Sequence, residues 1–140
     1  MSVPEGERED GKFTLPIKAE YLARYTIEIT ANENVFLPKY REAITNDIIN
    51  SAKNCYLAIR DANDVTVRIG TVYQRSDWRD RNKLQKEALR NARSLIYLID
   101  IAHRLFHLSS KRVRYWGNMT REVRNRIQGW IIDDTARYAT

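Results

Sequence analysis

Residues 37–64, "LPKYREAITNDIINSAKNCYLAIRDAND", contain the clearest structural pattern in the chain and predict a long amphipathic helix. Small and apolar side chains recur at steps of three and four along it, as on one face of a helix. This stripe consists of Leu37, Tyr40, Ile44, Ile48, Ser51, Cys55, Ile59 and Ala62. Pro38 suits a first helical turn, and the polar residues at 61–64 suit a helix end. We therefore expect one helix of about 25 residues.

Two segments towards the C-terminus show the same periodicity. The first, at about 77–108, has an apolar face of Leu84, Ala88, Leu95, Ile99, Ala102 and Phe106. The second, at about 111–138, has an apolar face of Val113, Trp116, Thr120, Val123, Ile127, Trp130 and Ile131. Between them "HLSSK" interrupts the pattern, and Ser109 or Ser110 is a natural N-cap for the last helix.

The beginning of the chain is less regular. The segment "TLPIKAEYLARYTIEITANEN", from Thr14, has a line of Ile17, Tyr21, Leu22, Tyr25 and Ile29 at helical spacing, although "YTIEIT" also alternates as a strand does. Residues 1–12 are acidic and polar, which predicts a flexible tail and no secretory signal. The link "DVTVRIGTVYQRS" predicts an extended loop, with a short β-arm as the alternative.

Four amphipathic helices with mostly short links predict an all-α, up-down four-helix bundle that occupies residues 13–140 as one domain. No run approaches the ~20 apolar residues that a membrane span needs. Cys55 is the only cysteine, so an intramolecular disulfide is impossible and we expect a small buried side chain in a reducing compartment. We therefore expect a cytoplasmic protein.

The positive charge is concentrated in the second half of the chain. The formal net charge is +6, and residues 74–126 hold 14 basic and five acidic side chains, so the rest of the chain carries −3. Six cations of the third helix fall on one face, opposite the core, with Tyr97 among them: Arg79, Lys83, Lys86, Arg90, Arg93 and Arg104. A second polar line on the fourth helix contains Arg114 and Arg121, with Arg124 at its edge.

These two basic faces are the candidate binding residues. Lys and Arg attract the phosphates of nucleic acid regardless of its sequence, which favours a nucleic-acid ligand. An acidic protein surface is the alternative partner, and a solvated charged face without a ligand remains a third interpretation.

Catalytic and cofactor motifs are not evident. No glycine-rich phosphate loop and no Gly-x-Ser-x-Gly elbow occurs. Asp100, His103 and His107 stand at i, i+3 and i+7, where one helical face can present them to a metal, but a polar boundary face is the simpler interpretation. The adjacent Asp133 and Asp134 point in different directions on a helix. We expect no enzymatic activity, no cofactor and no metal site.

The chain resembles the Avd family across about residues 35–132. The resemblance rests on the helix start "PKYR" at 38–41, the central "LRNARSLIYLIDIAHRL" and the closing "GWI" at 129–131. Avd proteins are the accessory variability proteins of diversity-generating retroelements, related to four-helix-bundle proteins encoded in intervening sequences of bacterial ribosomal RNA genes. This sequence departs from the family pattern in its longer link near residues 64–76 and its additional N-terminal segment.

The resemblance implies a four-helix bundle that assembles into a homopentameric barrel. It also implies a reverse transcriptase as partner, binding to template RNA or an RNA–DNA hybrid, and support of mutagenic cDNA synthesis without chemistry of its own. The alternative function is a generic helical scaffold that binds an acidic protein and no nucleic acid.

Overall fold

A computed structural model describes residues 14–139, and this part of the chain is all-helical. Its four α-helices are α1 (Leu15–Thr30), α2 (Asn46–Asp64), α3 (Gln74–Leu105) and α4 (Ser110–Tyr138), and no β-strand occurs among the described residues. The predicted tail at 1–12 lies outside them. Within residues 14–139, no helix combines the length and apolar content that crossing a lipid bilayer requires.

The helices run alternately up and down around one core. Each helix packs against the next one in the chain, and α4 returns to pack against α1. The start of α1 meets the middle of α4, where Lys18 forms an ion pair with Glu122 at 3.2 Å. The amide of Gln74, at the start of α3, donates to the carbonyl oxygen of Tyr138, at the end of α4. These contacts confirm the predicted up-down bundle.

Tryptophan and phenylalanine side chains form the centre of the core. Trp116 is fully buried, and its indole N–H donates to the hydroxyl of Thr26 on α1 at 3.0 Å. Phe36 packs against the rings of Trp116 and Phe106 at centroid distances of 6.2 and 4.9 Å. Trp130 is 3% exposed, which confirms that it belongs to the core. The predicted inner faces of α2, α3 and α4 therefore pack together with α1 in one core.

The prediction for α1 was correct in type and partly correct in orientation. The segment is a helix and not a strand, and Leu22 is buried while Tyr25 and Ile29 pack against the core. Ile17 is 61% exposed, however, and Tyr21 is exposed as well. The buried side chains are Leu15, Ala19, Leu22, Ala23, Thr26 and Thr30. Alanine and threonine let the backbones approach closely, and the threonine hydroxyls find partners: Thr30 donates to the carbonyl of Thr26, and Thr26 accepts from Trp116. The buried face is therefore the one with small side chains.

The beginning of α2 is not the single continuous helix that was predicted. A 3₁₀ turn at Pro38–Tyr40 and a π-helical turn at Arg41–Thr45 precede it, and Leu37 remains exposed. From Ile44 onwards the predicted stripe is buried, including Cys55. Burial raises the pKa of the Cys55 thiol to about 12, as expected for a small side chain in an apolar core.

Residues 65–73 form a loop without the β-arm that was the alternative. Val67 is buried and anchors the loop, and Gly70 adopts a positive φ of 79° in a turn. Arg68 forms a bidentate ion pair with Asp77 of α3, at 2.8 and 2.9 Å. Hydrogen bonds from Arg68 lower the pKa of Asp77 to about 2. This ion pair fixes the loop onto α3.

A buried polar cluster that the sequence analysis missed connects the C-terminal end of α2 with α3 and α4. The Arg81 guanidinium donates to the Asp134 carboxylate at 2.8 Å, and Gln85 donates to the same carboxylate oxygen at 2.8 Å. Arg81 also donates to the carbonyl of Val65 at 2.9 Å. Asp134 is 0% exposed and Arg81 is 6% exposed. One arginine thus holds three helices together.

Candidate nucleic-acid interface

The six cations predicted for the third helix lie on the solvent-facing side of α3. All of them are exposed, whereas Ala88, Leu95 and Ile99 are buried on the opposite side of the helix. We call this set, Arg79, Lys83, Lys86, Arg90, Arg93 and Arg104, the α3 ridge. It extends for about 38 Å, since the helix rises about 1.5 Å per residue. Its exposure confirms the predicted orientation of α3.

The charges of the α3 ridge are not neutralised by neighbouring side chains. Within residues 14–139, none of the six cations forms an ion pair or a side-chain hydrogen bond. The nearest acids along the helix are Asp80 and Asp100, which are exposed on its flanks, and Glu87, which is partly buried. Like charges one turn apart repel each other by about 0.2–0.5 kcal/mol per pair, and an anion bound between them would reduce this repulsion.

A shallow groove of about 560 Å³ lies along the first half of the ridge. Four ridge cations line it together with the acid Glu87 and with Arg75, Trp78 and Asn82, three residues that the sequence analysis did not single out. Arg75 lies one turn before Arg79 and continues the same line. It belongs to the helix because α3 begins at Gln74 and not at the predicted residue 77. The ring of Trp78 packs against Tyr138 of α4 at 5.8 Å and forms the groove's wall.

The second basic group belongs to α4. Arg114 and Arg121 are exposed and Arg124 is partly buried. The guanidinium of Arg121 donates to Asn118 at 2.6 Å and folds over Gly117, where a Cβ atom would come within 3.2 Å of it. At about 100° per residue, Arg114 and Arg121 face solvent on the side of α4 opposite the core, and only Arg124 lies on the flank away from the α1-facing Glu122. The two basic groups therefore occupy adjacent helices.

Part of the positive charge counted in the sequence is not available at the surface. Arg81 is buried with Asp134, Arg68 pairs with Asp77, and Arg126 pairs with Glu122 at 3.3 Å. Lys18 and Arg126 lower the pKa of the Glu122 carboxyl through their hydrogen bonds. The accessible field therefore comes mainly from the α3 ridge and the α4 arginines.

The three side chains considered as metal ligands, Asp100, His103 and His107, are not brought together. The helix ends at Leu105, and His107 lies beyond it with a positive φ of 55°. Asp100, His103 and His107 therefore do not share one helical face. Across the described residues, no group of three or more His, Cys, Asp or Glu side chains could hold a metal ion.

An apolar surface borders α1 on both sides. A groove of about 650 Å³ separates α1 from α4, and one of about 370 Å³ separates α1 from α2. The exposed apolar side chains here are Ile17, Tyr21, Ile27, Leu57 and Tyr115. The hydroxyls of Tyr21 and Tyr115 are 3.0 Å apart, and this hydrogen bond raises the pKa of Tyr115. Such tyrosine-rich, apolar surfaces are typical of protein contacts.

Comparisons with protein-family models, with curated proteins and with solved structures give no match for this chain.

Proposed function

We propose that this chain is a nucleic-acid-binding accessory subunit of a retroelement reverse transcriptase, which supports mutagenic cDNA synthesis in the cytoplasm without chemistry of its own. The observation that carries the binding function is the α3 ridge, six exposed cations in line without an ion-pair partner in the described part of the chain. The reverse transcriptase, and template RNA or an RNA–DNA hybrid as ligand, rest on the Avd resemblance.

Phosphate chemistry makes nucleic acid the ligand that best fits the ridge. A nucleic-acid backbone presents negative charges at regular intervals, and a straight row of cations can follow several of them. Lys and Arg on a convex helix carry no arrangement for reading base edges, so the affinity is expected to be independent of sequence. The Arg114, Arg121 and Arg124 group on the neighbouring helix extends the same surface.

The proposed assembly is a homo-oligomer, and the number five comes from the resemblance. The apolar surface along α1 supports an assembly, because Ile17 and Leu57 are 61% and 49% exposed. Tyrosine and methionine, both present in the groove between α1 and α4, are enriched in protein interfaces. Native mass spectrometry gives the number of subunits, and a monomer at micromolar concentration would contradict the assembly.

The experiment that tests the binding function compares two double variants of equal charge. Arg90→Gln/Arg93→Gln removes two charges from the α3 ridge, and Lys39→Gln/Arg60→Gln removes two exposed charges from α2 and the turn before it. Fluorescence anisotropy with a labelled RNA and an RNA–DNA hybrid should show a loss of affinity for the ridge variant alone. Equal behaviour of both variants would overturn the proposal.

Three further observations address the partner. Binding of the ridge to polyglutamate with no binding to either nucleic acid would support the alternative, a scaffold for an acidic protein. A gene for a reverse transcriptase beside this one, with a pair of template and variable repeats, would support the retroelement function. Stimulation of that enzyme's cDNA synthesis by the wild-type chain, and not by the ridge variant, would link the two.

A further inference from the structure

One aromatic side chain interrupts the cations of the α3 ridge. Tyr97 follows Arg79 by 18 residues, which is five full turns, so it lies on the ridge's centre line. Arg93 precedes it by one turn and Arg104 follows it by about two. The side chain of Tyr97 is 67% exposed, and its ring contacts no other ring and no cation within residues 14–139.

An exposed ring in this position has different consequences for paired and unpaired strands. In a duplex the bases are stacked inside and the phosphates face outwards, so a ring on the line of cations meets only sugars and phosphates. In a single strand the bases are free to turn towards the protein, and each presents a flat face for stacking. Only a single strand can therefore use the arginines and the ring together.

We propose that the α3 ridge binds single-stranded nucleic acid, with a base stacked on Tyr97 and the adjoining phosphates held by Arg93 and Arg104. This inference rests on the proposed nucleic-acid function and specifies which form of the ligand the ridge takes. It gives the unpaired strand a base contact on α3 that the hybrid lacks.

The surroundings of Tyr97 contain one competing feature and one opposing charge. Ile101, one turn further on, is 51% exposed, so the two side chains form a small apolar patch that a protein could also cover. Asp100 lies on the flank towards α4 and repels phosphate. The cations on both sides of Tyr97 nevertheless favour an anionic ligand with a flat apolar part, and a nucleotide has both properties.

The test uses three variants of Tyr97 and its neighbour, and each is measured with three oligonucleotides. The variants are Tyr97→Ala, Tyr97→Phe, which keeps the ring, and Ile101→Ala, which shortens an exposed apolar side chain on the same face. The oligonucleotides are a single-stranded RNA, the same length of RNA–DNA hybrid, and a single strand with abasic sites. Thermal unfolding confirms that each variant is folded, as expected for exposed positions.

Tyr97→Ala should lower single-strand affinity by about 5- to 100-fold, the equivalent of one stacked base, and should leave hybrid affinity unchanged. Tyr97→Phe should keep most of the affinity, and Ile101→Ala should bind as the wild type does. The abasic strand should bind wild type and Tyr97→Ala alike, because it has no base to stack.

The outcomes separate this inference from the proposed function. Equal losses for single strand and hybrid with Tyr97→Ala, or no loss for either, would overturn the stacking inference and leave the ridge as a phosphate-binding surface. An equal loss with Ile101→Ala would also overturn it, since a general apolar contact would then explain the effect. Failure of the proposed function itself would appear as unchanged binding by Arg90→Gln/Arg93→Gln.

Discussion

Replacement of either partner in the buried Arg81–Asp134 ion pair should destabilise the bundle far more than replacement of both. Arg81→Leu leaves a fully buried carboxylate without its counter-ion, and Asp134→Leu leaves a buried guanidinium in the same position. Breaking a buried pair in this way costs about 3–5 kcal/mol, since the remaining charge loses water without gaining a partner. If the two effects were independent, the double variant would lose about 6–10 kcal/mol.

The structure predicts a much smaller loss for the double variant. Arg81→Leu/Asp134→Leu removes both charges and leaves two neutral groups without these partners, the Gln85 amide and the Val65 carbonyl, whereas the Ala62 carbonyl, which Arg81 also reaches, still accepts from the Val65 N–H. Each such group costs about 1–3 kcal/mol, and the two leucines add apolar contacts that offset part of it. We expect a total of about 2–4 kcal/mol, well below the sum of the single variants.

Urea unfolding at neutral pH, followed by circular dichroism, measures these free energies. Asp133→Leu is the matched control, because Asp133 is the exposed neighbour of Asp134 and its replacement should change stability by no more than about 0.5 kcal/mol. Additive losses in the double variant would refute the reasoning, because they would show that the two side chains contribute separately. A control as unstable as Asp134→Leu would do the same.

Three further predictions concern acid stability, thiol reactivity and the core. The pKa of Asp77 is about 2, below its ordinary 3.8, so the stability that this carboxylate contributes is complete above about pH 4 and is lost as the pH falls towards 2. The stability of Asp77→Asn should therefore depend less steeply on pH in that interval, and an unchanged acid profile would contradict this prediction. Cys55, whose pKa is about 12, should react with iodoacetamide at pH 8 only after unfolding in urea, and rapid labelling of the native protein would show that the thiol is accessible. Trp130→Ala should lower the free energy of unfolding by about 3–5 kcal/mol, whereas unchanged melting with a loss of RNA binding would make Trp130 a ligand contact.

The sequence predicted the inner faces of α2, α3 and α4 because bulky apolar residues recur there at helical spacing. Ile48, Ile99 and Ile127, for example, are all buried where the period placed them. The face of α1 was misjudged in part, because alanine and threonine make up much of its buried side, while the larger Ile17 and Tyr21 are exposed. Side-chain size alone does not identify a face on which helices approach closely.

Features that depend on contacts between distant residues were less accessible from the sequence. Arg81 and Asp134 are 53 positions apart, and nothing in the sequence pattern pairs them. A partial signal was present, because Asp134 continues the line of Ile127 and Trp130 on the core side of α4. The exposed α3 ridge was predictable, since its charges lie opposite the core. The groove along the ridge was not predictable from the sequence, because the groove depends on Trp78 packing against Tyr138.

The salt dependence of RNA binding tests most directly whether the α3 ridge is a nucleic-acid interface. For a single strand, the slope of log K against log salt is about −0.7 per phosphate contact. Arg90→Gln/Arg93→Gln should therefore flatten this slope by about 1.4 relative to the wild type, equally for two RNAs of unrelated sequence. The matched Lys39→Gln/Arg60→Gln variant should keep the wild-type slope. Identical slopes for the wild type and the ridge variant would contradict the central claim.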